Sequence, residues 1–528
     1  MTMHRTLAFV VGLALLGCKK APPAPELLDL QVFATKFDAQ DDDPFKGVSI
    51  LRLVFESENG TVEKFVHYVP GGEKGIPEIP YGDRIRFTVE GWAQDSDGGL
   101  GDLLSRGKSA AFSLQPDVEP ISVQVPVSRI NRFAYTSTPG ELGARETTMS
   151  MGRVGHTATR LRDGRVLIVG GASLKTTVTG DFRGIEDLDT ITQTAELYDP
   201  ATGTYQQLQG QSTLSHARAF HTATLLPNGQ VLIAGGVTDI SGTKQTLPLL
   251  QLFDPSTDTF LPPIQSQLNA SRAGHTETLL DGEGHVLLSG GFSVDAAGKT
   301  STVGSVEVFE RSSSKVVYSQ NLNKPRAFHT ATKVALGGDQ REGVVLIGGE
   351  AGDQAVDTAE IFYISPAGFD STPIKLPSGG RTRHAVAWVP GQGYLYVIGG
   401  FKEKARTTVE QRVDFFHVAN KAFLDTNFAL LNPRGGNIAV ALPDNSVLIA
   451  GGVVNGQISN SAEVIFERLD LSDPNNPTLK ADRQHTGALH VPRVGAVAVP
   501  LDNGTFLLLG GYGGGGVSVR SGEYYNPL

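Results

Sequence analysis

Five arginine–histidine pairs at one fixed spacing are the residues whose types first suggest chemistry. They are Arg153/His156, Arg218/His221, Arg272/His275, Arg326/His329 and Arg381/His384. An imidazole can act as a general base or metal ligand, and a guanidinium gathers anions through its fork of N–H donors. Arg434 and Arg493 continue the series, with Asn437 and Ala496 where the histidine would stand. A catalytic set needs unlike residues meeting at one point, which one pair copied around a structure does not supply. The histidines are therefore expected to hydrogen-bond within or between repeat units, and as zinc ligands they would lie too far apart. No catalytic residue, metal site or cofactor is expected. The seven arginines stay as candidate ligand-binding residues, a positive rim for an anionic peptide or sugar. The competing expectation pairs them with acids downstream: Glu196, Glu307, Glu360, Asp414, Glu463 and Glu523, with Gln251 in the second unit.

The elements that must position these residues recur with them. Each arginine opens a unit that runs through a first strand such as 156–161 and a tight turn such as Asp163-Gly164, Asn228-Gly229 or Asn503-Gly504. Such turns supply the positive φ angles of a two-residue hairpin. A continuously apolar strand follows (166–169, 231–234) and ends in paired glycines: Gly170-Gly171, Gly235-Gly236, Gly290-Gly291, Gly348-Gly349, Gly399-Gly400, Gly451-Gly452 and Gly510-Gly511. A half-exposed strand would alternate, so this one is buried on both faces, as in sheets stacked radially. A variable loop leads to an acidic–aromatic third strand (Ala195-Glu196-Leu197-Tyr198), then a Pro-x-Thr-Gly or Pro-x-Thr-Asp turn and a fourth strand ending in Tyr205 or Phe260. Seven units at this period predict a closed ring.

A double glycine after an aliphatic strand, then an acidic–aromatic strand, then an aromatic on the fourth, resembles the kelch family over about residues 152–528. It departs in carrying Tyr or Phe where many kelch repeats have Trp. The resemblance implies an all-β, seven-bladed kelch-type β-propeller, here assigned to 129–528. In such domains, arginines at this motif position contact acidic ligands. The last unit ends at Leu528 with a third strand but no fourth, so a segment within 132–138 is expected to supply the outer strand of the last blade. The variable loops 172–194 (with Asp181, Glu186, Asp187 and Asp189), 292–305, 401–409 and 512–520 emerge on the arginine face, where specificity is expected to reside.

Residues 28–128 have a different texture, with β-rich runs at 30–34, 48–55, 64–69, 85–93, 110–114 and 121–127. These predict a small β-sandwich, immunoglobulin- or transthyretin-like, expected to space the ring from the membrane. The acidic turn Asp95-Ser96-Asp97-Gly98-Gly99-Leu100-Gly101-Asp102 lacks the full oxygen pattern of a calcium loop.

The first 27 residues read as a processing signal. A one-cation start, an apolar run over 7–16 and Leu15-Leu16-Gly17-Cys18 follow one another, and Cys18 is the chain's single cysteine. The run is too short to span a membrane. Leu15 to Cys18 resembles the lipobox of bacterial lipoproteins, which implies removal of 1–17, acylation of Cys18 and a Pro-rich tether over 18–27. Lys19 after the cysteine implies the outer membrane within a cell-envelope location. With 528 residues, 63 glycines and a net charge of −10, no basic field exists to draw in nucleic acid.

Two function classes follow. The first is a membrane-anchored binding module for a protein or polysaccharide; the alternatives are a carbohydrate-active, mutarotase-like propeller enzyme and a purely structural envelope protein. Copper radical chemistry is excluded, because it needs a cysteine cross-linked to tyrosine and Cys18 lies outside the ring. Sialidases carry repeated Ser-x-Asp-x-Gly-x-x-Trp turns, which do not occur here.

Overall fold

The computed structural model describes residues 28–36, 43–69, 79, 81–115, 121–139, 144–178, 184–337, 341–370, 372–424, 426–470 and 478–528. The signal, Cys18, the tether and Asp181 lie outside the described residues.

The N-terminal domain is a seven-stranded sheet: β1 (Leu28–Ala34), β2 (Ile50–Ser57), β3 (Gly60–His67), β4 (Gly82–Gln94), β5 (Leu100–Lys108), β6 (Phe112–Leu114) and β7 (Ile121–Arg129). Its order is β1-β7-β5-β4-β2-β3, with β6 on β4 and the β1–β7 pair parallel. Alternate residues of β2 (Leu51, Leu53, Phe55), β4 (Ile85, Phe87, Val89) and β7 (Val123, Val125, Val127) enter one buried cluster with Leu28, Leu30 and Val32. The period of two thus brings distant strands of the sheet around a single core. Strand β5 has no counterpart among the expected runs. At 95–99, the Asp95 carboxylate accepts from the amides of Asp97 (3.0 Å) and Gly99 (2.6 Å), so its own turn uses it.

Only Ile130 and Asn131 separate β7 from β8 (Arg132–Tyr135). Strand β8 pairs antiparallel with Gly522–Asn526 and completes the last sheet, as the missing fourth strand required. The ring is a seven-bladed β-propeller, each blade built on four antiparallel strands. The second strands Val166–Val169, Val231–Ala234, Val447–Ala450 and Phe506–Leu509 are buried throughout, because each is sandwiched between neighbouring blades.

The glycine pairs make the blade-to-blade joint. Both members have positive φ, 59° and 93° at Gly170 and Gly171, and 58° and 102° at Gly290 and Gly291. The second glycine's amide donates to the carbonyl of the next blade's arginine: Gly171 to Arg218 (2.8 Å), Gly291 to Arg326 (2.8 Å), and Gly511 to Arg153 (2.9 Å) across the closure. A Cβ on Gly290 would lie 2.2 Å from the Arg326 carbonyl oxygen, so any side chain would part the blades.

Connections between second and third strands form short two-stranded ribbons, such as Phe292–Val294 with Thr300–Thr302 and Tyr512–Gly514 with Val517–Ser518. They crown one face of the ring. The small domain meets the opposite, hairpin-bearing face. There, Asn526 Nδ2 donates to the carbonyls of Arg106 (2.9 Å) and Ser128 (3.2 Å), beside Asn503 and Thr505 of the last blade's hairpin.

Candidate functional site

The seven arginines are buried at 0–1% exposure, so they form no exposed positive rim. This corrects the ligand-binding assignment of Arg153, Arg218, Arg272, Arg326, Arg381, Arg434 and Arg493. Each is a lock. Arg153 Nη1 donates to the Gly170 carbonyl (2.7 Å) and Nη2 to Thr194 Oγ1 (2.9 Å) and Glu196 (2.5 Å). Glu307, Glu360, Asp414, Glu463 and Glu523 hold Arg272, Arg326, Arg381, Arg434 and Arg493 in the same way. Most of these carboxylates also accept a backbone amide of the connection entering the blade, as with Ser150 N to Glu196 Oε2 and Asn269 N to Glu307 Oε2, both 2.7 Å. The charge therefore staples the third strand to the incoming chain.

Blade 2 breaks the pattern. Gln251 takes the acid's place and turns its oxygen to Ser215 (3.1 Å to N), while Leu249 stands where five of the other blades offer a hydroxyl. Arg218 Nη2 is left with no hydrogen-bond partner, and burial pulls the guanidinium down to about 10.

The histidines line the central channel, a cavity of about 320 Å³. Each of four donates to or accepts from a threonine of the preceding blade: His221 with Thr157 (3.0 Å), His275 with Thr222 (2.9 Å), His329 with Thr276 (3.0 Å) and His384 with Thr330 (3.0 Å). Where the threonine is replaced by Ala385 or Ile438, the next blade has lost its histidine, to Asn437 or Ala496. His156 faces the blade that carries Val497, and neither of its ring nitrogens has a side-chain partner. Burial, then the adjacent arginine, holds His156 and His384 down to about 3 and the other three well below the usual range.

The residues with the character of a site are ones the repeat does not share. Two positions beyond each arginine, the backbone has positive φ in all seven blades: Gly155, Phe220, Gly274, Phe328, Arg383, Gly436 and Gly495, between 51° and 67°. Their amides hydrogen-bond in sequence around the axis, Phe220 to Gly155 (2.7 Å), Gly274 to Phe220 (2.9 Å), Phe328 to Gly274 (2.8 Å), Arg383 to Phe328 (3.2 Å) and onward to Gly495. This circlet forms the channel mouth. Four members are glycine, the residue that the conformation favours; a β-substituted residue there costs of order 1–2 kcal/mol. The three that accept that cost, Phe220, Phe328 and Arg383, meet one another. The Arg383 guanidinium carbon lies 3.6 Å from the Phe328 ring centre, and Phe328 contacts Phe220 edge-on (5.8 Å) and Phe292 (5.5 Å).

Two more exceptions adjoin them. The residue after the glycine pair is apolar in six blades (Ala172, Val237, Phe292, Phe401, Val453, Tyr512) and Glu350 in blade 4. The residue after the arginine is Ala, Val or Gly in six blades and Thr382 in blade 5. Both are buried, and Thr382 Oγ1 donates to Glu350 Oε2 across the blade boundary (3.0 Å). Glu350 and Arg383, with Phe220, Phe292 and Phe328, line a pocket of about 310 Å³ on the ribbon face. Thr300–Thr302, Glu186, Asp353 and Lys404 at the ribbon tips complete its rim. Strained backbone and buried polar exceptions gathered at one concave spot make this pocket the candidate site. Its residues are departures from the repeat, so the pattern that reveals the blades conceals them, and the sequence signal is the set of positions at which the seven aligned units disagree.

No protein-family model and no curated protein matches the chain. Among solved structures it is similar to one titled "Structure of YjhT", with 15% identity and a TM-score of 0.43, covering 63% of this chain and 99% of that one. Seven sheets in a closed ring define the β-propeller independently of that likeness.

Proposed function

We propose that the protein is an envelope lipoprotein, anchored through Cys18, whose kelch-like propeller is a binding module for a protein or polysaccharide on its ribbon face. The observation that carries this reading is the convergence of Phe220, Phe328 and Arg383, all at positive φ, with the buried Glu350–Thr382 pair on one pocket. A scaffold built only for stability would have kept glycine there, as four blades do. The small domain packs on the hairpin face, so it leaves the ribbon face and its pocket uncovered. The lipobox-like Leu15 to Cys18 supports acylation, and more than one acyl chain gives stable anchoring at about 0.8 kcal/mol per buried CH2.

The test is retention from solubilised envelope extract on immobilised 21–528, beside the variants Arg383→Gly and Phe328→Gly. A component retained by the unaltered protein and lost with both variants supports the module; equal retention by all three would remove the pocket from the function. Metabolic labelling with palmitate, lost on Cys18→Ala, tests the anchor.

A further inference from the structure

Resting on the binding-module reading, we infer that the ribbon-face pocket takes a saccharide, seating one uncharged, polyhydroxylated ring such as the terminal residue of a glycan. Three features of the pocket select this class. Its volume of about 310 Å³ is at the small end for ligand sites, room for one ring-sized unit rather than a folded surface. Its inner wall is aromatic: Phe220 and Phe292 flank Phe328. Such a wall packs against the C–H face of a saturated ring and gains area at little entropic cost.

The polar groups sit at the edges and include both donors and acceptors. The Glu350 carboxylate is held by Thr382 and can accept from ligand hydroxyls, while Arg383, lying over Phe328, donates. A sugar hydroxyl does both, so a mixed edge suits it where a carboxylate or phosphate would need donors alone. The exposed hydroxyls of Thr300 and Ser301 lie along the rim. Asp353 pairs with Lys404 (3.5 Å) and Glu350 offsets Arg383, which leaves the rim's Glu186 as the excess charge, so the pocket offers no positive field to a strongly anionic ligand. The axial histidines lie below the aromatic cluster, in the channel rather than among the groups that would contact the ring. Saccharide recognition here is therefore assigned to five side chains of blades 2 to 5: Phe220, Phe292, Phe328, Glu350 and Arg383.

The test is a glycan array probed with soluble 21–528, followed by calorimetric titration of hits, with a random-peptide array in parallel. Arg383→Gly and Phe328→Gly suit this, since glycine already occupies four equivalent positions and the fold is kept; Glu350→Gln removes only the charge. The expected result is saccharide hits whose affinity falls at least tenfold in Arg383→Gly and Phe328→Gly and less in Glu350→Gln, with no peptide hit sensitive to these variants. Peptide hits lost in the variants, with the glycan array blank, would overturn the saccharide assignment while leaving the module standing. Glycan hits indifferent to all three variants would overturn the assignment to this pocket. A blank on both arrays, with retention of an envelope component intact, would likewise overturn the saccharide class alone.

Discussion

At the residue scale, the arginine locks and the one defective copy make opposite predictions. Removing one partner of a buried, hydrogen-bonded ion pair leaves a charge uncompensated, at a cost of about 3–5 kcal/mol. Glu307→Ala should therefore destabilise the propeller by that order, read as a drop in the urea midpoint. Gln251→Glu should do the reverse, since it offers Arg218 Nη2 the acceptor that the other six blades supply. A gain of about 1–3 kcal/mol is expected at pH 7, as for a hydrogen bond to a charged group; a destabilised variant would show that blade 2 is shaped around the amide. The locks were legible in the sequence as a pairing of seven arginines with six acids. Their burial was not, because nothing in a repeat says which end of a side chain meets water. The mouth residues were illegible for a different reason. Phe220 and Arg383 read as ordinary variation until positive φ shows what each position costs.

At the element scale, the glycine pairs and β8 carry the ring. A Cβ at Gly290 would press on the Arg326 carbonyl at 2.2 Å, in a conformation of positive φ. Gly290→Ala is expected to cost at least about 2 kcal/mol, from strain and from parting two blades, whereas Gly298→Ala at a ribbon tip with open space beside it should cost only its backbone strain. Comparative thermal unfolding of the two variants measures the difference; equal midpoints would contradict the joint. The blades were readable because periodicity, turn chemistry and glycine pairs all agreed, and the closing strand was readable because a propeller cannot leave its last blade short. Strand β5 was not. Its sequence Leu100-Gly101-Asp102-Leu103-Leu104-Ser105-Arg106-Gly107-Lys108 carries no β-branched residue, and pairing with β4 and β7 makes it a strand.

At the scale of the whole molecule, the channel histidines tie stability to pH. They are neutral in the folded protein to well below pH 6.5, while the unfolded chain takes up protons as pH falls through 6.5. The unfolded state thus binds more protons between about 6.5 and 3, and stability falls as pH drops through that window. Each group contributes about 1.4 kcal/mol per pH unit there. Urea unfolding at pH 7.5 and 5.5 should show a loss of several kcal/mol, and a flat profile would contradict the burial of the ring. Glu277 acts in the opposite sense. It is the one acid on the described first strands, and burial outweighs the Thr222 and Thr224 hydroxyls to push it up to about 8. Its folded form holds a proton that the unfolded chain releases above pH 4.5, so it costs stability at neutral pH. Glu277→Gln should raise the midpoint at pH 7.5 and change little at pH 4.5.

The molecule as a whole is a closed ring with one face given to a small domain and the other to a pocket assembled from exceptions to the repeat. The central claim is that Phe220, Phe328 and Arg383 are retained for binding at the expense of folding. Scanning calorimetry of the triple variant Phe220→Gly/Phe328→Gly/Arg383→Gly tests it most directly. A melting temperature equal to or above that of the unaltered protein is expected, because relief of three strained residues offsets the lost ring contacts. A fall of several degrees, the signature of core damage, would mean that the three side chains hold the propeller together and would contradict the claim.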